Sequence, residues 1–112
     1  MENSPIKHLM TVVVQEQDVD LAVRALAAEG MHAFHLASSG GFLGRRNATL
    51  LVGLPEGRQN DARTALQKSC RQRVEYLAIP LEGSPLPLPT PVPVTVGGAT
   101  IFTLPVERYE EF

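Results

Sequence analysis

The run Leu9-Met10-Thr11-Val12-Val13-Val14-Gln15 constrains the fold more than any other part of this chain. It is rich in β-branched residues and almost continuously apolar, the pattern of a strand buried on both faces. Leu9 and Val13 alternate with Met10, Val12 and Val14, so neither face reads as a surface. Leu50, Val52 and Leu54, set against Leu51, repeat the pattern. A sheet built around two such strands needs a cover on each side.

The chain supplies helices for one side only. Asp18 is placed as an N-cap, after which Leu21, Ala22, Ala25, Leu26 and Glu29 recur at helical spacing, and Gly30 is a natural C′ stop. A second helix is expected from Asn60 or shortly before, with Ala62, Ala65, Leu66 and Cys70 on one face. Strands are expected at Leu9 to Gln15, Met31 to Ala37, Ala48 to Leu54, Val74 to Ile79 and Ala99 to Leu104. Arg108 to Phe112 is at most a terminal turn. The βαββαβ order predicts an α+β, ferredoxin-like sandwich. Two helices cover one face, so the other is expected to be buried in an oligomer, because soluble monomers rarely leave a large apolar patch in water.

Length and charge narrow the function. With 112 residues, 44% of them hydrophobic, the chain is expected to form one soluble domain spanning 1–112. A net charge of −2 gives no general electrostatic reason to bind nucleic acid or an anionic membrane. No apolar run approaches the roughly 20 residues of a membrane helix, and Met1 to Lys7 lacks a signal-peptide core. No membrane insertion and a cytoplasmic location are expected. The single cysteine, Cys70, suits a reducing compartment and reads as a packing residue.

Between Leu81 and Val94, Pro85, Pro87, Pro89, Pro91 and Pro93 alternate with other residues. Proline has no N–H, so this run is excluded from a central strand and is expected to be a long, stiff, extended loop before the last strand. A two-residue period gives a polyproline helix of three residues per turn no single recognition face. The rigid-loop reading is therefore preferred to a ligand for a proline-binding module.

Ser38-Ser39-Gly40-Gly41-Phe42-Leu43, followed by Asn47-Ala48-Thr49, lies between two strand-like runs, and Gly97-Gly98-Ala99-Thr100 opens the last one. Adjacent glycines let backbone N–H groups converge on an anion, and Phe42 with Leu43 adds an apolar wall suited to a base. The same turn also reads as a hairpin connection, and the residues alone leave both readings open. Arg45 and Arg46 are either solvated loop charges or phosphate partners. His32 and His35, three apart on a strand, point to opposite faces, and His8 adds no ligand spacing, so no metal site is expected. No catalytic set of side chains stands out.

The order of elements, the Ser38 to Leu43 turn, Asn47-Ala48-Thr49, and the closing Val96-Gly97-Gly98-Ala99-Thr100-Ile101-Phe102-Thr103-Leu104-Pro105-Val106-Glu107 resemble the PII-like cyclic-di-AMP receptor proteins from about Lys7 to Phe112. The resemblance implies a homotrimeric signalling receptor, not an enzyme, needing no cofactor. It implies cyclic-di-AMP or a related nucleotide bound in each cleft between subunits, loops that change shape with occupancy, and an unknown protein target. It places Gly41, Phe42, Leu43, Asn47, Gly53 and Gly98 at ligand-contacting positions, with backbone N–H groups around Gly40, Gly41 and Gly98 meeting phosphate. Where the family typically has Asn, Arg and Thr along the second strand, this chain has Gly30, His32 and Phe34, and Arg46 replaces a Gly common before Asn47. These departures predict weak or absent cyclic-di-AMP binding. The alternative is a PII-like scaffold, with altered or no nucleotide binding, that acts by protein–protein contact.

Overall fold

In the computed structural model, which describes residues 5–36, 41–42, 45–79 and 90–112, the apolar run becomes β1 (His8–Gln15). A single 3-10 turn, Glu16–Asp18, leads into α1 (Val19–Ala28). β2 (Ala33–Leu36), a two-residue β3 (Gly41–Phe42) and β4 (Arg45–Leu54) follow, then α2 (Gln59–Ser69). β5 (Arg73–Ile79), β6 (Thr90–Val96) and β7 (Ala99–Pro105) complete the chain.

β1 lies inside the main sheet, whose order is β2-β4-β1-β7. Both of its neighbours are antiparallel, with His8 opposite Leu54 and Pro105, and Val14 opposite Ala48 and Ala99. This register puts Met10, Val12 and Val14 on one face with Leu50, Val52 and Leu54. All six are buried beneath Val19, Ala22 and Leu26 of α1 and Ala62, Ala65 and Leu66 of α2. This is the ferredoxin-like α+β arrangement, with both helices on one side.

The helix ends follow from local chemistry. Gly30 has φ +77°; its N–H donates to the Ala27 carbonyl, and the Met31 N–H donates to Leu26. These two bonds form a Schellman stop, with buried Met31 packed over the same turn as buried Leu26. Asp18, expected as an N-cap, makes no capping bond. The 3-10 turn feeds directly into α1 and leaves Asp18 in helical geometry, with its buried side chain turned to Arg73.

Two expectations about the chain after α2 are corrected. The Val74 to Ile79 strand does not join the main sheet; β5 pairs with β6 in a separate antiparallel ribbon. β1 has one free edge for a last strand, and β7 fills it from His8 to Val14. The proline-rich run is not loop throughout, because Thr90 to Val94 lie in β6. Pro91 and Pro93 stand opposite Ala78 and Tyr76, two residues apart. They therefore share the side of β6 that turns its N–H positions away from β5, leaving Thr90, Val92 and Val94 to donate into the ladder. The alternation that gives a polyproline helix no single face is the period of an edge strand. The rest of the proposed loop, 81–89, lies outside the described residues.

Candidate functional site

The sheet ends where the chain turns into and out of the ribbon. Gln15 and Asn47 face each other as the last β1–β4 pair, and the Gly97-Gly98 turn crosses beside them into β7. Together with Gln72 and Thr100 they line a depression of about 210 Å³. No carboxylate is among its lining residues. The lining amides and hydroxyl suit a ligand rich in hydrogen-bond acceptors.

The glycine turn is held by the chain itself. Gly97 and Gly98 have φ +86° and +87°, a left-handed backbone that residues with a Cβ rarely adopt. The Gly97 N–H donates to Gln15 Oε1 at 2.8 Å, and the Gly98 N–H donates to the carbonyl of Cys70. Cys70 follows the last residue of α2, so the Gly98 bond satisfies one of the carbonyls that a helix end leaves open. The N–H of Gly98, expected to meet a phosphate, is thus committed within the chain.

An ion pair fixes the root of the ribbon nearby. Arg73 Nη2 lies 2.9 Å from Asp18 Oδ1, and Nη1 lies 3.4 Å from Oδ2. Arg73 also reaches Glu75 and the Arg71 carbonyl. The hydrogen bond to Asp18, above all, holds the Arg73 guanidinium above its ordinary pKa. Burial pushes the Cys70 thiol up, against a smaller opposing effect of the Ser69 hydroxyl. A protonated, buried thiol is a poor nucleophile.

The expected site residues divide by position. Asn47 and Gly98 meet at the depression. Gly41 and Phe42 pair with Arg46 and Arg45, which places them beside Asn47 at the same end of β4, and Arg46 is exposed there. Gly40 and Leu43 lie outside the described residues. Gly53 is at the far end of β4, opposite Leu9, about 20 Å from Asn47 at the usual strand rise. A Cβ there would approach Ile6 Cδ1 to 2.6 Å, so a larger residue at this position needs the end of the Ile6 side chain to shift. Phe34 stands on the helix-free face opposite Leu51, 63% exposed, with the His32 ring edge-on at 4.7 Å. One chain therefore does not gather all these residues. Gln15, Gln72 and Thr100 were missed by sequence reasoning, because an isolated amide or hydroxyl carries no motif. The facing of Gln15 and Asn47 needs the β1–β4 register, which sequence alone does not give.

The model of the cyclic-di-AMP receptor family matches residues 7–112. The chain belongs to that family. The chain is also similar to a functionally unknown protein from Pediococcus pentosaceus seen in a crystal structure. The two are 29% identical, with a TM-score of 0.74 over 96% of this chain and 98% of the other. Gly30 in place of the expected Asn is conformationally mild, since both residues tolerate the left-handed C′ position. Among the described residues, no group of three or more His, Cys, Asp or Glu is set to hold a metal ion. No helix among them is long and apolar enough to cross a membrane.

Proposed function

We propose that the chain works as a homotrimeric cytoplasmic receptor that takes a nucleotide second messenger in each cleft between subunits. The observation that carries this reading is the separation of the expected contact residues. Asn47 and Gly98 lie at one end of the sheet, and Gly53 lies about 20 Å along β4. A single dinucleotide touching both sets takes one set from each of two subunits. The helix-free face supports the same assembly, because Leu9, Val13 and Leu51 carry exposed Phe34, Leu36, Phe102 and Leu104 beside them. Burying such area contributes roughly 25 cal/mol per Å². In this reading the ribbon, together with residues 81–89, senses occupancy and passes it to a protein target.

Within this reading, His32 and Phe34 set the ligand preference. The chain has a ring where a small hydroxyl residue is expected, and a His where an Arg would hold phosphate or base. Loss of one charged contact weakens binding by roughly 1.5–3 kcal/mol, about 10- to 150-fold. Calorimetry with cyclic-di-AMP tests this. Weak or absent binding by the unchanged chain, restored in part by His32→Arg with Phe34→Thr, is expected. Tight binding by the unchanged chain contradicts the assignment of these two positions.

The second reading is a scaffold without nucleotide, favoured by the internal commitment of the Gly97 and Gly98 N–H groups. A thermal-shift panel of nucleotides separates the two, since a ligand that binds only the folded state raises the melting temperature by mass action. No shift with any nucleotide favours the scaffold.

A further inference from the structure

We propose that Gln15 is the positioning residue that joins the nucleotide cavity to the β5–β6 ribbon; the ligand-facing half of this inference rests on the receptor reading above. Gln15 is the last residue of β1 and faces Asn47 across the sheet. Its side chain accepts the Gly97 N–H at 2.8 Å, and Gly97 is the residue by which the ribbon returns to the sheet. A backbone N–H demands an oxygen, so this bond fixes which end of the amide points at Gly97. The other end is then an NH₂ group with two donors. Gln15 lines the cavity, and among the described residues no partner takes that NH₂.

A carboxamide is a single rigid plane. An acceptor atom of a nucleotide, whether a phosphate oxygen or a base nitrogen, that takes the NH₂ acts on the same plane that holds Gly97. Binding that aligns the amide tightens the Gly97 bond, and binding that turns it releases the bond. Either way the cavity and the ribbon share one group, and the coupling is reciprocal. The geometry on the ribbon side leaves little slack. A Cβ at Gly97 would come within 2.3 Å of the Arg71 carbonyl and 2.7 Å of Arg73 Nη1. The turn is wedged between the Gln15 amide and the strand that carries the Arg73–Asp18 pair. Among the described residues the Arg73–Asp18 pair, the Gly98 N–H bond to the Cys70 carbonyl and the Gln15 bond all hold the root of the ribbon, and of these the Gln15 bond is the one made by a side chain that lines the cavity.

Two substitutions separate the halves of the amide. Gln15→Glu keeps an acceptor for Gly97 and removes the NH₂ donors, whereas Gln15→Leu removes both. Hydrogen exchange on the full chain without ligand reads the tether. The Gly97 amide is expected to exchange about 10-fold faster in Gln15→Leu than in the unchanged chain, with Gln15→Glu close to the unchanged chain and the Val12 and Leu50 amides unaltered in all three. Equal Gly97 exchange in Gln15→Leu and the unchanged chain overturns the tether. Calorimetry with cyclic-di-AMP, in the unchanged chain and on the His32→Arg, Phe34→Thr background, reads the other half. Gln15→Glu is expected to weaken binding about 10-fold while Gly97 stays protected. Unaltered affinity overturns the ligand-facing role. If neither cyclic-di-AMP nor any nucleotide of the thermal-shift panel binds either background, the receptor reading and the ligand-facing half fall together, and exchange still decides the tether.

Discussion

The two faces of the main sheet carry similar residues and meet different fates. On the helix side, Met10, Val12, Val14, Leu50, Val52 and Leu54 are all buried within the one chain. On the other side, Leu9, Val13 and Leu51 are only half-buried, while Phe102 and Leu104 are 57% and 56% exposed. The difference is a matter of supply. A βαββαβ chain has two helices, and both lie over one face, so the apolar residues of the other face have no helix to cover them. One face holds the chain together, and under the proposed assembly the other would hold subunits to each other.

The contrast breaks most directly at Leu50. Leu50→Ala opens a cavity under both helices and is expected to cost about 3–4 kcal/mol in urea unfolding, at every protein concentration. A concentration-dependent loss there would put Leu50 on the wrong side of the comparison.

A smaller effect is expected at the polar margin of the covered face. Arg73→Ala leaves the buried Asp18 carboxylate without its partner and should destabilise by about 2–3 kcal/mol. Adding Asp18→Asn should return part of that loss, since the uncompensated charge is gone. If the second change brings no recovery, Asp18 is not held by charge.

On the open face, Phe102→Ser should cost the isolated subunit under about 1 kcal/mol, because the ring is more than half exposed. Its main effect should appear as dissociation on dilution. A loss as large as that at Leu50, independent of concentration, would mean that the face is already covered within one chain.

The smallest effect concerns Cys70. Burial raises its pKa in the folded state, so the native protein retains a proton that the unfolded chain releases. The contribution is fully present below the unfolded thiol value of about 8.5 and is lost as pH rises above it. The urea midpoint should fall as pH rises above about 8.5, and Cys70→Ala should flatten that decline. A midpoint that rises over this window would reverse the assigned sign.

Much of this architecture is legible in the residues. The two-sided apolar strands point to a central β1 and β4, the helical spacings find α1 and α2 to within a few residues, and Gly30 marks the end of α1. What sequence misses depends on pairing. Nothing local says that β7 rather than β5 takes the free edge of β1, because both are short runs with β-strand composition. Nothing local says that Asp18 serves Arg73, 55 residues away, instead of capping its own helix. Pro91 and Pro93 read as loop until the side of the strand they occupy is known. For the candidate site, the motif finds Asn47 and Gly98, whereas Gln15 emerges only from the β1–β4 register.

The central claim is that the helix-free face is a subunit interface, and light scattering on the unmodified protein at micromolar concentration tests it most directly. Three chains per particle, falling to smaller species in Phe102→Ser, is the predicted result. A stable monomer would contradict the claim, for the apolar face would then have nothing among the described residues to cover it.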